Sequence, residues 1–537
     1  MAVDVLLFTG LSSFYTEVTD IEDDEPSYEI AMRPSGTYRI ATYLREKYNL
    51  DVEVVDFLHS WRYDELKEIV DSRVGPNTRM VGVGGIFYLG TPVIKQIFEY
   101  VKTSYPHVTT AAGSQSLWSI ATIPNIDYYV VGYGELGISA ILEGNPKYSL
   151  ISPVMHAPEI AVIDCFKIKE YNAYPWPDLG IDYEDRDFIN SHETLSFETS
   201  RGCIFQCAFC NFPILGVKHD YTRSAESFKT DLIRNYEKWG TTNYIITDET
   251  FNDSIEKVRK YADVVQELPF EVDFTGYIRA DLMTQRPHDL DELIRMRFNG
   301  HFYGIESTNR ESAKAIGKGG DPKKILEGIL HAKERFLKET GHYKGELGFI
   351  WGLPGETLET LQWTFDWLDK NWIGEASSWY PLGIPKEGNE LIRSNVIGRN
   401  LEKYGYRSLQ PIELKPVGDQ LDYIFENPEI SDYIKNKIRQ DMPDLNSPAA
   451  HFVVQWKNEH FDSISAFVGV QQNFFGHKRF MDRGINAFNQ SNWTACGYTK
   501  EQLRASYHDL PSVMHPPLEE RKAVIESYKQ KKLSCVS

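Results

Sequence analysis

The alternation of buried strands with amphipathic helices constrains the fold of this chain more than any other feature of its sequence. In residues 1–150, short apolar runs are separated by segments whose apolar residues recur every three or four positions. Strands that alternate with helices form parallel sheets, because a parallel connection has to cross back over the sheet. We therefore predict an α/β fold that begins with a doubly wound, Rossmann-like sheet. Its five strands are predicted at 3–8, 52–57, 80–83, 108–112 and 128–131.

The alternation stops in a proline-rich segment and then resumes. Residues 151–193 contain the sequence YPWPDLG and are predicted to be a linker. Residues 194–383 hold six further strand–helix units, which predict a partial (β/α)6 barrel with its chemistry at the carboxyl ends of the strands. Residues 384–537 give weaker patterns, and we predict a mostly helical C-terminal region with helices near 448–470 and 516–532. The six barrel strands are predicted at 195–199, 244–247, 272–277, 302–305, 347–351 and 378–382.

Composition narrows the class of protein. The 537 residues exceed one ordinary domain, and the formal net charge of −20 disfavours tight nonspecific binding to nucleic acid. No apolar stretch of about 18 residues occurs and the N-terminus lacks a basic start, so neither a membrane span nor a signal peptide is predicted. Only three of the six cysteines are grouped, which argues against a disulfide framework and favours a reducing cytoplasm.

The grouped cysteines occupy residues 201–210, RGCIFQCAFC, which we call the cysteine loop. Cys203, Cys207 and Cys210 follow a Cys-x3-Cys-x2-Cys spacing directly after the first predicted barrel strand. Thiolates are soft ligands, and three in one short loop can hold one metal centre. A 4Fe–4S cluster bound by three cysteines has one iron free for a small molecule. The spacing alone leaves a partial zinc site or a redox cysteine group as alternatives.

Polar residues follow several of the other barrel strands. Asp248 and Glu249 end the second strand, and Glu306 and Ser307 end the fourth. A carboxylate is the group needed to hold an α-ammonium ion in a partly dry pocket. The fifth strand ends in GFIWGLPGE, residues 348–356, whose glycines offer a bare strand edge to a flat ring. The carboxyl ends of these strands should meet at one edge of the barrel.

These segments resemble the motifs of the radical S-adenosylmethionine (SAM) enzymes. The cysteine loop, with Phe209 before its last cysteine, is similar to their cluster loop, and DETF, GIES and GFIWGLPGE match three of their SAM-binding motifs. The combination disfavours the zinc alternative. The resemblance implies a 4Fe–4S cluster on Cys203, Cys207 and Cys210. It also implies SAM contacts from Phe209, Asp248, Glu249, Arg279, Glu306, Ser307, Ile350 and Gly352.

The first 150 residues resemble the cobalamin-binding domain that precedes many radical SAM cores, although each of their glycines alone is compatible with an ordinary turn. Many cobalamin proteins carry Asp-x-His-x-x-Gly after the first strand, whereas the loop here reads TGLSSFYTE and has no histidine. His59 stands at a different spacing and is predicted to be structural. The resemblance therefore implies cobalt without a histidine below it, facing Phe87 and Tyr88. The other implied cobalamin contacts are Gly10, Gly84, Gly85, Gly113, Ser114, Gln115, Gly132, Gly134 and Glu135.

Together the resemblances imply a cobalamin-dependent radical SAM enzyme. Such an enzyme cleaves SAM reductively to a 5′-deoxyadenosyl radical, takes its electron from a donor such as flavodoxin or ferredoxin, and methylates an unactivated carbon of a small molecule or peptide. A radical rearrangement, cyclisation or oxidation with the same cofactors is one alternative. A radical SAM enzyme whose first domain has lost cobalamin is a second, and a cobalamin and iron–sulfur sensor without turnover is a third. Methylthiolation of transfer RNA is disfavoured, because it needs a second group of three cysteines. The sequence does not identify the substrate.

Two features of the C-terminal region have open roles. Residues 473–479 mix aromatic and basic side chains, which either line a substrate channel or cover the barrel. Cys496 is either a fourth metal ligand or a buried thiol, and the second is favoured.

Overall fold

The computed structural model contains two large sheets whose strands are mainly parallel, and it describes the chain in separate segments. No helix within these segments is long and apolar enough to cross a membrane. The prediction of an α/β chain with two sheets is confirmed. The described residues are 2–10, 32–84, 92–114, 125–151, 159–173, 175–210, 222–384, 395–409, 454, 456–463, 466 and 518–535.

The first sheet has seven strands in the order β2-β1-β3-β4-β5-β7-β6. All neighbours are parallel except the edge strand β6, which runs antiparallel to β7. Apolar side chains are buried on both faces of this sheet. Its strands are therefore continuous hydrophobic runs and do not alternate between hydrophobic and polar residues. The elements are β1 (Val5–Thr9), α1 (Ser35–Tyr48), β2 (Val52–Val55), α2 (Tyr63–Arg73), β3 (Met80–Gly84), α3 (Pro92–Ser104), β4 (Thr109–Ser114), β5 (Tyr128–Val131), α4 (Glu135–Leu142), β6 (Ser149–Ile151) and β7 (Ile160–Asp164).

The first sheet extends beyond the predicted boundary at residue 150. β7 lies inside the predicted linker and pairs with β5, with Tyr129 opposite Val162. Val162 and Ile163 are almost fully buried. The apolar run IAVID therefore continues the sheet, whereas the prolines on either side of it suggested a linker.

The second sheet has six parallel strands in the sequential order β13-β12-β11-β10-β9-β8. A helix follows each of the first five strands, as the predicted partial barrel requires. Polar caps set several helix starts, since Ser224, Asp321 and Thr357 each accept a hydrogen bond from the first turn. The elements are β8 (Thr194–Phe197), α5 (Ala225–Trp239), β9 (Asn243–Ile246), α6 (Ile255–Gln266), β10 (Asp273–Ile278), α7 (Ala280–Gln285), α8 (Pro287–Arg295), β11 (Gly300–Glu306), α9 (Arg310–Ala315), α10 (Pro322–Glu339), β12 (Lys344–Trp351), α11 (Leu358–Asn371) and β13 (Ala376–Pro381).

The apolar stripes of the helices cover the outer face of the second sheet. Ile329 and Phe336, one face of α10, are fully buried, as is Leu347 of β12. Burying each such side chain stabilises the fold by about 1.5–3 kcal/mol. This packing holds the carboxyl ends of the strands in register, which is what places the polar residues that follow them.

The described parts of the C-terminal region contact both of the large sheets. A short helix, α12 (Val396–Arg399), precedes an antiparallel pair of β14 (Arg407–Ser408) and β15 (Trp456–Lys457). The predicted helix near 516–532 is present as α13 (Leu518–Ser534), which packs against the first sheet. Of the predicted helix at 448–470, residues 456–457 form a strand instead, and most of the rest lies outside the described residues. Residues 473–479 and Cys496 lie outside them as well.

Candidate functional site

The cysteine loop leaves the carboxyl end of β8 and is tethered to two other parts of the chain. The Ala208 amide donates to the Ile316 carbonyl at 2.9 Å, and the Ile397 amide donates to the Ala208 carbonyl at 3.1 Å. The side-chain amide of Asn395 donates to the carbonyl of Phe209 at 2.8 Å. The three thiols are thus held on a fixed backbone at the end of the second sheet, and each is partly exposed.

Polar groups lie beside the thiols of Cys203 and Cys207. The Thr250 hydroxyl is 3.7 Å from the Cys203 sulfur, and Nη1 of Arg279 donates towards the Cys207 sulfur at 3.8 Å. Burial raises the pKa of Cys203, so donors at sulfur help it to act as a thiolate. Across the described segments, no three His, Cys, Asp or Glu side chains converge on one metal ion. A 4Fe–4S cluster places each thiolate on a different iron, and this donor set fits it.

Arg279 is positioned by Asp281, which was not predicted as a site residue. Its Nε and Nη2 donate to the two carboxylate oxygens of Asp281 at 2.9 and 2.6 Å. Its guanidinium carbon lies 3.9 Å from the centre of the Phe205 ring. With two nitrogens on Asp281, the third faces Cys207. Arg279 therefore lies beside the cysteine loop, and its predicted contact with SAM stays a prediction.

Asp248 and Glu249 are neighbours with different surroundings. Asp248 is buried and accepts hydrogen bonds from the amides and hydroxyls of Thr199 and Ser200 at 2.5–3.1 Å. These four bonds fill its acceptor positions. Asp248 therefore shapes the turn from β8 into the cysteine loop, and its predicted contact with SAM stays a prediction.

Glu249 faces the space between the two sheets. One of its carboxylate oxygens accepts a hydrogen bond from the Tyr133 hydroxyl at 3.0 Å. Burial raises the pKa of Glu249 to about 7, with a further contribution from Asp248. No described lysine or arginine forms an ion pair with Glu249, so its charge has no cationic partner from the described parts of the chain. A bound ammonium ion would supply that partner.

The end of β11 is tied to the end of β12 by Glu356. This carboxyl accepts from the Ser307 hydroxyl and from the Gly352 amide, each at 2.9 Å. Glu306 has a left-handed backbone, with φ of 66°, and forms an ion pair of 3.2 Å with Lys318. A non-glycine residue with such a φ is strained, which is typical of functional sites. Ser307 thus contacts Glu356, the last residue of the GFIWGLPGE motif, which sequence reasoning did not select.

The carboxyl end of β12 is covered by the C-terminal region. Gly352 has φ of 97°, and a Cβ there would lie 2.4 Å from the Trp456 ring. The Tyr406 hydroxyl donates to the Gly352 carbonyl at 2.7 Å. Trp456 therefore occupies the side of Gly352 on which a Cβ would lie, and the predicted contact of Gly352 with SAM stays a prediction. Ile350 is largely buried within β12.

The pKa of Glu356 gives a prediction about stability. Burial raises this pKa to about 8, above the ordinary carboxyl value near 4.5. Between these two values the folded protein binds a proton that the unfolded chain has lost, so stability falls as the pH rises. We expect Glu356→Gln to remove about 2 kcal/mol of the fall in unfolding free energy between pH 6 and pH 8. Urea unfolding at both pH values measures it, with the exposed Glu359→Gln as control, and equal pH slopes for Glu356→Gln and wild type would contradict it.

A cavity of about 410 Å³ lies between the carboxyl ends of the two sheets. The first sheet lines it largely with small residues at the ends of β3 and β4 and just after β5, which leaves a smooth face for a broad, flat ligand. The second sheet contributes Glu249, Arg201 and Tyr277 on the opposite side. The small residues are Gly82, Gly84, Ala111, Ala112, Gly113, Gly132 and Gly134.

Most of the described residues predicted to contact cobalamin lie at this cavity. Gly84, Gly113, Gly132, Gly134 and Glu135 line it, and Ser114 ends β4 beside Gly113. Gly10 does not line it, because it packs against the turn after β2, where a Cβ would lie 2.8 Å from the Leu58 amide. Gly85, Phe87, Tyr88 and Gln115 lie outside the described residues.

Glu135 ties the first sheet to the cysteine loop. It forms ion pairs with Arg201 at 2.6 Å and Arg39 at 3.4 Å, and all three side chains are buried. Burial opposes ionisation of Glu135, but the two arginines hold its pKa below the ordinary value. Arg201 also pairs with Glu198 at 2.6 Å. Arg201 and Glu198 were not predicted as site residues; the only signal for them is a charged pair flanking the start of the cysteine loop.

Comparison with known proteins agrees with this geometry. The profile of the Radical SAM superfamily matches residues 197–368. An uncharacterised methyltransferase of Pyrococcus horikoshii is 23% identical over 75% of this chain and 88% of its own length. A putative methylthiotransferase of Methanocaldococcus jannaschii is 26% identical over 45% of this chain and 53% of its own length.

Two solved structures match nearly the whole chain. TsrM of Kitasatospora setae, a radical SAM methyltransferase with tryptophan and a SAM analogue bound, has a TM-score of 0.57 at 14% identity, covering 98% of this chain and 99% of TsrM. The cobalamin-dependent radical SAM enzyme OxsB has a TM-score of 0.52 at 13% identity, covering 99% of this chain and 80% of OxsB. Residues 197–368 therefore form a radical SAM domain, in a chain that has the fold of TsrM and OxsB.

Proposed function

We propose that this protein is a cobalamin-dependent radical SAM enzyme that methylates an unactivated carbon of a small molecule or a peptide. The observation that carries the proposal is the cavity between the sheets. One side is the smooth glycine face of the first sheet, and the other side presents Glu249 and Arg201 next to the cysteine loop. One cavity thus adjoins both candidate cofactor sites. The methyltransferase names of the relatives and of TsrM support methyl transfer.

The cysteine loop would hold the 4Fe–4S cluster through Cys203, Cys207 and Cys210. Thr250 and Arg279 would donate to the ligating sulfurs, because they already lie beside Cys203 and Cys207. When bound, the cluster supplies the electron that cleaves the sulfonium of SAM, and cobalamin supplies the methyl group. Partial burial of the loop and its three tethering hydrogen bonds would keep this chemistry away from bulk water.

Glu249 would bind the ammonium group of SAM. Its carboxylate is buried and has no cationic partner among the described residues, and a charge-assisted hydrogen bond in such a setting is strong. Glu306 at the end of β11 would contact the ribose or the amino-acid part, as the GIES resemblance implies. Its neighbour Ser307 would act through Glu356, which fixes the ends of β11 and β12 relative to each other.

The cavity would hold the substrate carbon between the two cofactors. Leu7, Ile40 and Val130 line its first-sheet side, and Ile245 and Tyr277 line its second-sheet side. This mostly apolar lining would exclude water from a reactive centre. Each turnover would replace one hydrogen of the substrate by a methyl group. That hydrogen would leave as part of 5′-deoxyadenosine, the first SAM would also release methionine, and a second SAM would become S-adenosylhomocysteine. The external electron donor would supply two electrons per turnover.

Product analysis tests the proposal. The protein is reconstituted anaerobically with iron, sulfide and cobalamin, reduced chemically, and incubated with SAM carrying a trideuterated methyl group. Tryptophan, the substrate named for TsrM, and short peptides are the probe substrates. We expect a product with one added trideuteromethyl group, and equal amounts of 5′-deoxyadenosine and S-adenosylhomocysteine.

The other outcomes identify the alternatives. A modified product with 5′-deoxyadenosine but no added methyl group would indicate a rearrangement, cyclisation or oxidation. Addition of sulfur as well as a methyl group would indicate methylthiolation, the activity in the name of the M. jannaschii relative. Binding of both cofactors without any cleavage of SAM would indicate a sensor.

A further inference from the structure

We propose that Tyr133 couples the two cofactor sites, so that a cofactor in the first-sheet cavity raises the affinity for SAM at Glu249. Tyr133 would act as a positioning residue, since it contacts the SAM-binding carboxylate rather than the reacting atoms. This inference rests on the proposed function, which assigns cobalamin to the cavity and the ammonium of SAM to Glu249.

Tyr133 belongs to the first sheet but its hydroxyl reaches the second. It lies between Gly132 and Gly134 in the turn from β5 to α4, and all three residues line the cavity. Its hydroxyl donates to Glu249 at 3.0 Å. Its ring lies 4.2 Å from the Arg201 guanidinium carbon and packs edge-on against Phe166 at 5.8 Å. One aromatic side chain therefore contacts the cavity, the cysteine loop and Glu249.

The same turn also supports the cysteine loop through a second contact. Glu135, two residues after Tyr133, forms the buried ion pair with Arg201. Arg201 stands two residues before Cys203, and Thr250 beside Glu249 contacts the Cys203 sulfur. The turn 132–135 thus contacts both segments that would hold the cluster and SAM. A shift of this turn would therefore be transmitted directly to both of these segments.

The direction of the coupling follows from hydrogen-bond strength. A phenol donates a stronger hydrogen bond to a carboxylate than to a neutral carboxyl, so the Tyr133–Glu249 bond strengthens when Glu249 ionises to bind an ammonium ion. A broad ligand against Gly132 and Gly134 would confine the Tyr133 ring to the orientation that reaches Glu249. Confinement before SAM binds removes an ordering cost, which makes the coupling positive. By linkage, SAM would raise the affinity for cobalamin by the same factor.

Calorimetric titration of SAM tests the inference. The protein carries its reconstituted cluster and is titrated with and without bound hydroxocobalamin, as wild type, Tyr133→Phe and Tyr148→Phe. Tyr148 is a matched control, since its ring is half exposed and packs against Tyr128 away from the cavity. We expect cobalamin to tighten SAM binding about tenfold in wild type and in Tyr148→Phe. In Tyr133→Phe we expect a change of less than about twofold, because the coupling hydroxyl is gone.

The outcomes separate this inference from the proposed function. Failure of the wild type to bind SAM or cobalamin would refute the proposed function and, with it, the premise of the coupling. Binding of both cofactors with equal coupling in wild type and Tyr133→Phe would overturn the inference alone, and so would binding of both without any coupling in wild type. Loss of the coupling in Tyr133→Phe, with an unfolding temperature equal to that of wild type, supports it, because a merely structural role would lower that temperature.

Discussion

Alanine at Cys203, Cys207 or Cys210 will leave the protein without its iron–sulfur cluster, and cleavage of SAM will fall at least about 1,000-fold, equivalent to about 4 kcal/mol in the barrier. The reason is the geometry of the cysteine loop. Its backbone is tethered to Ile316 and Ile397, so no other part of the loop can move in to replace a missing thiolate. Iron content and 5′-deoxyadenosine formation after anaerobic reconstitution measure the effect.

Two other cysteines provide matched controls. Cys165 is buried in the first sheet's part of the core and Cys535 is exposed near the end of α13. Cys165→Ala and Cys535→Ala should keep the full iron content and the wild-type rate of SAM cleavage. Undiminished cleavage in any of the three loop variants would contradict the assignment of the cluster, and loss of iron in Cys535→Ala would mean that the cluster extends beyond the loop.

The sequence predicts the elements that depend on local pattern. The two sheets follow from the alternation of strands and helices, and the position of the cysteine loop follows from the strand before it. The cavity edge could also be predicted, because the carboxyl ends of parallel strands share one side of a sheet. Glu249, Gly84, Gly113, Gly132 and Gly134 line the cavity at the edge where this reasoning puts them.

The sequence could not predict contacts set by distant parts of the chain. Asp248 and Glu249 are adjacent carboxylates, and only the position of the Thr199 and Ser200 amides makes the first of them structural. In the sequence, Gly352 is a strand end without a side chain. In the structure, Trp456 from the C-terminal region packs over it. Likewise, Tyr133 reads as a turn residue between glycines, and its hydrogen bond to Glu249 depends on how the two sheets face each other.

A second large effect is expected at the buried Arg33, which stands between the cavity-lining residues Met32 and Pro34. Arg33 is fully buried and donates to both carboxylate oxygens of Glu193 at 2.5 and 3.1 Å. Its guanidinium carbon lies 4.9 Å from the centre of the Phe57 ring and 5.0 Å from the centre of the Tyr528 ring. Arg33 precedes α1, Glu193 precedes β8, and Tyr528 belongs to α13. One buried cation therefore joins the first sheet, the second sheet and the C-terminal helix.

We expect Glu193→Gln to lower the free energy of unfolding by about 3 kcal/mol, because it leaves a buried arginine without its counter-ion. Asp56, at 3.8 Å, compensates poorly, since burial raises its pKa to about 7. Urea unfolding at pH 7 measures the loss. The control is Glu170→Gln, which breaks an exposed ion pair with Lys147 and should cost less than about 1 kcal/mol.

The paired replacement distinguishes a buried charge from a lost contact. In Arg33→Met/Glu193→Leu both charges are removed and apolar groups of similar volume take their place, so most of the lost stability should return. If Glu193→Gln is no more destabilising than Glu170→Gln, Arg33 does not depend on its counter-ion. If the double variant is less stable than Glu193→Gln, the hydrogen bonds of Arg33 with Glu193 and Tyr38 contribute more than the burial of its charge costs, and the junction of the three segments is held by those bonds.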